Sequence, residues 1–330
     1  MAGKSENSIS SRPLSVNRND LWETLVKAQA ELGLVITQPA PDGRLHRCPL
    51  EGGRKGSLDG AYKVNPDPPA NLWAMNFKTG LKKVYLFGAS SSGPWSPAER
   101  RAWAAKCEDD RKAREAAQLA AWAVAAQKAE LIYTEAGPCQ GHPYLNRKGV
   151  QPHFRLKVSD RDLVVPLFNA AGELRSLQFI DPAGQKRFLK GGQKAGCFLT
   201  LKAESTDQGQ PLVVCEGLAT GLSLFQSTGL EVLVAFDAGG LKAVALGARR
   251  DWPERVIILG ADNDSSGGSG NIGVTKAKEA ALAAGGLLSI PFMVDGHPCD
   301  FNDLHQAEGP ETVRAFVEAA FDVKEGLDNA

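Results

Sequence analysis

The chain carries no net charge, because 38 Lys and Arg are matched by 38 Asp and Glu in 330 residues. It has no apolar run of about 18 residues, so neither a membrane-spanning helix nor a membrane partner is expected. The opening MAGKSENSISSRPLS lacks the apolar core of a secretory signal. Cys48, Cys107, Cys139, Cys197, Cys215 and Cys299 are scattered with no Cys-x-x-Cys pair. They read as free thiols in a reducing compartment, and a cytoplasmic location is expected. No Gly-x-x-x-x-Gly-Lys-Ser/Thr occurs, which excludes a P-loop ATPase and a fused helicase. His46 and Cys48 stand close together, but four zinc ligands cannot be assembled around them, so no structural zinc is expected. What remains is ordinary, at 43% hydrophobic and 23% charged, with length enough for two or three small domains.

The most informative stretch is 211–264. Three short runs rich in Val, Ile and Leu (Leu212–Cys215, Val232–Phe236, Val256–Leu259) suit strands buried on both faces. Between them lie segments of helical length, Gly217–Gln226 and Leu241–Arg250. Strand, helix, strand, helix, strand implies an α/β fold with parallel strands, whose ligands bind beyond the carboxyl ends. Acids stand at those ends: Glu216, Asp237, and the pair Asp262 and Asp264. Two residues apart in extended chain, Asp262 and Asp264 leave the same face. Carboxylates about 4 Å apart repel by roughly 4 kcal/mol at an effective dielectric of 20, so a proton or a cation must come between them. A hard divalent ion with oxygen ligands, Mg²⁺ or Mn²⁺, suits them, with Asp300 and Asp303 of CDFNDL as further donors.

Glu-Gly after one strand, Asp-x-Asp after another and a later acidic motif resemble the Toprim domain shared by primases, topoisomerases and some nucleases. The finer resemblance is to the primases of plasmids and phages, carried by Glu216-Gly217-Leu218-Ala219-Thr220, by FDAGGL at 236–241 and by DFNDL at 300–304. Leu218 stands where that family usually has an aromatic residue. The resemblance covers about the last 120 residues and is looser from His142 to Phe198. It implies synthesis of short RNA primers on single-stranded DNA by metal-dependent nucleotidyl transfer, for plasmid or phage replication or transfer. NTPs are the implied substrates, and a replicative helicase supplied in trans is the implied partner. Glu216, Asp262 and Asp264 would be catalytic. Those three, with Asp300 or Asp303, would hold the metal. A Toprim nuclease and a catalytically silent nucleic-acid-binding Toprim protein are the alternatives.

The zero net charge conceals a division. Residues 141–200 carry ten Lys and Arg against four Asp and Glu, whereas 206–330 carry eight against eighteen. Acids that hold cations beside a basic surface that attracts phosphate suit such chemistry. Within GQKRFLKGGQKAG, Lys186, Arg187 and Lys190 are the expected contacts to nucleotide or template phosphate, and Gly191-Gly192 would let the backbone approach it.

In chain order, a polar tail is expected at 1–18 and an α+β module at 19–92. There Asn19 or Asp20 caps a helix that buries Leu21, Leu25, Ala28 and Leu32. Four short strands follow, and most of Trp73, Phe77, Tyr85 and Phe87 are expected in their core. Ser96 and Pro97 open a long connecting helix (95–135) whose sparse large residues are Trp103, Leu119, Trp122 and Leu131. A basic β-rich module is expected at 136–205, the Toprim domain at 206–322, and a short tail at 323–330.

Overall fold

Leu21, Leu25, Ala28 and Leu32 recur at helical spacing, and α1 (Arg18–Leu32) buries all four. Gly33 stops it in the left-handed region, at φ +65. This and all that follows comes from a computed structural model describing residues 18–66, 70–87, 97–202, 209–263, 271–292, 294 and 297–328. Positions 1–17 of the expected N-terminal tail, the Ser96 cap, and Asp264 with the SSGGSG that follows it fall outside those residues. The chain divides into two units, Met1–Asp109 and Asp110–Ala330.

In the first unit α1 packs on an antiparallel sheet of β1 (His46–Cys48), β2 (Gly60–Asn65), β3 (Asn71–Asn76) and β4 (Lys82–Leu86), ordered as in the chain. The aromatics divide by strand alternation. Tyr85 and Phe87 join the core, and the Tyr85 hydroxyl donates to Glu31 of α1 at 2.8 Å. Trp73 is half-buried, and Phe77 is exposed with the Arg47 guanidinium 4.1 Å above its ring. His46 turns to Asp42 at 2.9 Å, and Cys48 is buried among apolar side chains.

The long helix α2 (Pro97–Glu135) forms where expected, and its large residues are not the ones that pack. Leu119 and Leu131 are exposed. The buried positions are the small Ala125 and Ala129, and Ile132 and Tyr133 pack against the core that Ala129 enters. Alanine lets a helix lie close to a sheet, so the contact stripe was carried by residues that composition alone makes inconspicuous. The Trp103 side chain lies outside the described residues.

The second unit holds two five-stranded sheets. The first is ordered β5 (Gly137–Pro138), β6 (Lys157–Ser159), β7 (Asp162–Phe168), β8 (Leu174–Ile180) and β9 (Lys186–Phe188), all antiparallel, with α3 (Pro143–Arg147) inserted after β5. The second is ordered β10-β12-β11-β13-β14, from β10 (Leu199–Leu201), β11 (Leu212–Cys215), β12 (Glu231–Val234), β13 (Ile257–Gly260) and β14 (Leu287–Ser289). Its last four strands are parallel and β10 runs antiparallel beside β12. Thus β10, within the stretch expected to be basic module, completes the acidic one. The two modules share one core, in which Leu163, Val165 and Leu167 meet Leu199, Val213 and Val232.

Helices cover both faces of the parallel sheet, as strands without polar alternation require. On one face α4 (Leu218–Thr228) lies with α7 (Phe301–Glu308) and α8 (Pro310–Asp328). On the other, α5 (Ala238–Asp251) packs against α6 (Ile272–Ala284). α7 was not expected as a helix, and α8 runs on to Asp328, beyond the expected end of the domain.

Candidate active site

The strand order sets the site. After β11 the chain crosses to β12 on one side. It then returns past β11 to β13 on the other, with α4 and α5 on opposite faces. Neighbouring strands whose connections leave in opposite directions open a crevice at their carboxyl ends. β11 and β13 are these neighbours, paired from Leu212 with Ile257 to Cys215 with Gly260. The next residues out are Glu216 on one strand and Ala261-Asp262 on the other, so the two acids meet at the mouth of the crevice. Thr220, in the first turn of α4, donates to Asp262 Oδ1 at 3.3 Å. α4 can sit this close because Gly221 has no side chain. A Cβ there would fall 2.5 Å from Val234 and 3.2 Å from the Cys215 sulfur.

The third acid arrives on α7. Asp300 is its N-cap, accepting from the Asn302 and Asp303 amides at 2.8 Å each, while Asp303 accepts from the Asp300 amide at 3.2 Å. Burial pushes the Asp300 carboxyl above the usual aspartate range, against the pull of the Asp303 amide. Asp303 faces Lys148, 3.8 Å away. Asn302 is the residue that sequence reasoning passed over. Fully buried, it donates to the Lys148 carbonyl at 2.7 Å and to Ser223 at 3.0 Å, pinning α7 to α3 and α4. Its only signal in the sequence was its place between two aspartates.

The fields of these acids overlap. Burial pushes the Cys215 thiol well above the ordinary cysteine range, and Asp262, Glu216 and Asp300 each push it further. Lys186 is open to solvent on β9, yet the protein around it draws its ammonium below the usual lysine value. Lys148 adds to that effect, while Asp300, Asp262 and Glu216 oppose it. The fields of the three carboxylates thus reach Lys186 on the basic hairpin. Tyr144 lies beneath, its ring 5.8 Å from the Lys186 ammonium and its hydroxyl raised to about 12 by burial and then by Asp300.

The remaining hairpin residues go elsewhere. Arg187 points to the other face of β9, pairing with Asp162 and lying 4.5 Å from the Phe179 ring. Lys190 is exposed in the turn that follows. Gly192 has a packing reason rather than the expected phosphate one, because a Cβ there would collide with the buried Ser176 at 2.1 Å. Lys194, the fourth basic residue of the segment, reaches Asp237 at 2.8 Å.

Asp264 lies outside the described residues, so the Asp-x-Asp pair is seen only through Asp262. Among the described residues no three His, Cys, Asp or Glu side chains are gathered tightly enough to grip a metal ion as they stand. The donors that converge on the crevice are carboxylate oxygens, which fits a hard divalent cation and not zinc.

Residues 211–311 match the Toprim domain family. Two DNA primase TraC proteins of Escherichia coli are similar over most of the chain. One is 33% identical over 77% of this chain and 18% of its own length. The other is 30% identical over 83% and 27%. The chain thus spans about a fifth to a quarter of the curated relatives it matches. The solved zinc-binding and RNA polymerase domains of Aquifex aeolicus primase are 15% identical, at a TM-score of 0.41 over 90% of this chain and 83% of that one. That likeness is too slight to carry any residue's role across. The parallel strands and most of their helices thus lie within a stretch that matches the Toprim domain, and over most of its length the chain is similar to DNA primase TraC.

Proposed function

We propose that the protein is a DNA primase, a nucleotidyl transferase that joins ribonucleotides on a single-stranded DNA template. The observation that carries this is geometric: the pairing of β11 with β13 brings Glu216 and Asp262 to the switch point, the bridge of Asn263 with Cys299 brings Asp300 beside them, and their fields reach Lys186 on the basic hairpin. The names of the relatives point the same way.

In this reading a 3′-hydroxyl attacks the α-phosphorus of an incoming NTP and pyrophosphate leaves. Glu216 accepts the hydroxyl proton or serves as a further metal ligand. Lys186 holds the triphosphate against the acids, helped by Lys190 at the turn. Arg187, paired with Asp162, is the least available of the three. Asp262 and Asp264, with Asp300 or Asp303, would hold Mg²⁺ or Mn²⁺, and Asp300 is the better placed because Asp303 is engaged with Lys148. The bound ion would supply charge stabilisation to the attacking and leaving oxygens. In this reading the protein works in the cytoplasm, in plasmid or phage replication or transfer, with a helicase supplied in trans.

The test is incorporation of labelled NTPs on single-stranded DNA with and without Mg²⁺. Metal-dependent incorporation supports the reading, and none under any divalent metal refutes it. The same crevice could direct water instead, and cleavage of the template would mark the protein as a nuclease.

A further inference from the structure

Phe236 is one of two non-glycine residues, among those described, in the left-handed region, at φ +69. For a bulky side chain that conformation costs about 1 kcal/mol or more. It persists only where the surroundings over-determine it. Here they do so through both backbone and ring. The sheet bond from the Ala235 amide to the Cys215 carbonyl, 2.8 Å, is followed by one from the Phe236 amide to the Glu216 carbonyl, also 2.8 Å. The ladder between β11 and β12 thus runs past both strands to the acid itself. The Phe236 ring is buried and meets Phe188 edge to face, with centroids 6.2 Å apart at 81°. Phe188 stands two residues from Lys186 on β9, so both side chains leave the same face. Lys194 closes the junction, 4.1 Å above the Phe188 ring and 2.8 Å from Asp237, which caps α5 through the Gly240 amide.

We propose that Phe236 is a positioning residue that sets Lys186 in register with Glu216. Its backbone holds Glu216 and its ring, through Phe188, holds the strand that carries Lys186. The basic and acidic modules are thereby keyed at the point where a triphosphate must reach the acids. This rests on the roles given above to Glu216 and Lys186.

The test uses the full chain with Phe236→Gly, Phe236→Tyr and Phe188→Leu. Glycine relieves the strain and keeps the amide but removes the ring, while tyrosine keeps the ring. Where two reacting groups are misplaced by about 1 Å, rates fall by up to roughly a hundredfold. Phe236→Gly should therefore lower kcat for nucleotide incorporation about ten- to a hundredfold with the nucleotide KM little changed, Phe188→Leu should lower it less, and Phe236→Tyr should restore it. A purely structural ring would lower the unfolding midpoint and leave kcat of the folded protein alone, which would overturn the proposal. Amide hydrogen exchange supplies an arm independent of the reaction. The Phe236 amide should be protected in the wild type and exchange faster in Phe188→Leu, and unchanged exchange would also overturn it. Should the wild type incorporate no nucleotide, the primase reading fails, and the exchange arm alone still decides whether the ring pair holds Glu216.

Discussion

The two edges of the parallel sheet treat charge in opposite ways. At the amino edge, Glu231 opens β12 and Arg255 precedes β13, and their side chains meet at 2.6 Å with 8% and 5% exposure. Arg255 also donates to the Gln210 carbonyl at 2.9 Å and approaches that of Pro211. Each charge there is answered within the protein. At the carboxyl edge, Glu216, Asp262 and Asp300 press on the same buried thiol, and Asp300 is further crowded by Asp303. Asp300 also caps α7 and Asp262 accepts from Thr220, yet like charges brought together at the mouth of a crevice repel one another, a pattern that suits the site proposed above. The same sheet thus holds an opposite-charge pair buried at one edge and a cluster of like charges at the other.

The sharpest way to break this comparison is at the carboxyl edge. Asp262→Asn and Glu216→Gln should each lower nucleotide incorporation by roughly a thousandfold, about 4 kcal/mol of barrier, with circular dichroism and denaturant midpoint close to wild type. Wild-type turnover in either variant would move the chemistry elsewhere. At the amino edge the outcome should invert. Arg255→Met or Glu231→Leu alone leaves a buried charge unpaired and should destabilise by about 3–5 kcal/mol in urea unfolding, whereas the double replacement should be milder than either. The folded fraction of each should keep its activity.

Within the hairpin, adjacent residues allow a finer version of the comparison. Lys186→Ala should weaken nucleotide or single-stranded DNA binding and flatten the plot of log affinity against log salt by about 0.7, the share of one phosphate contact on a single strand. Arg187→Ala, which loses the pair of a largely exposed guanidinium with Asp162 and its contact with the Phe179 ring, should leave the slope unchanged and alter stability by about 1 kcal/mol. Equal salt effects from the two would mean that strand alternation does not govern the surface.

The smallest effect is on pH. Burial holds His153 neutral, below the usual histidine value, between Lys202 and the Arg155 amide. The unfolded chain takes up the proton first as pH falls. The stability this group contributes is therefore full above about 6.5 and is lost as pH drops through the folded value. His153→Gln should narrow its gap to wild type as acidity rises, measured as urea midpoints between pH 7.5 and 5. A constant gap would show that His153 titrates alike in both states.

Much of this was legible in the chain because the physics involved is local. Apolar runs of four or five residues gave the strands, and the acids at their ends followed. Tyr85 and Phe87 entered the core on strand alternation. What stayed hidden depends on approach between distant elements. Ala125 and Ala129 matter because a sheet comes close to them, Gly192 because Ser176 lies beneath it, and Gly221 because Val234 does. Asn302 looked like spacing between two acids until α3, α4 and α7 converged on it. The direction of Arg187 needed the register of β9 against β8, where it pairs with Phe179.

The central claim is that the carboxyl edge joins nucleotides. Its most direct test is mass spectrometry of the products formed from unlabelled single-stranded DNA, NTPs and Mg²⁺. The account predicts new oligoribonucleotides bearing a 5′-triphosphate, an intact template, and neither change nor product with Asp262→Asn. Shortened DNA with no new oligoribonucleotide, lost in the same variant, would contradict it.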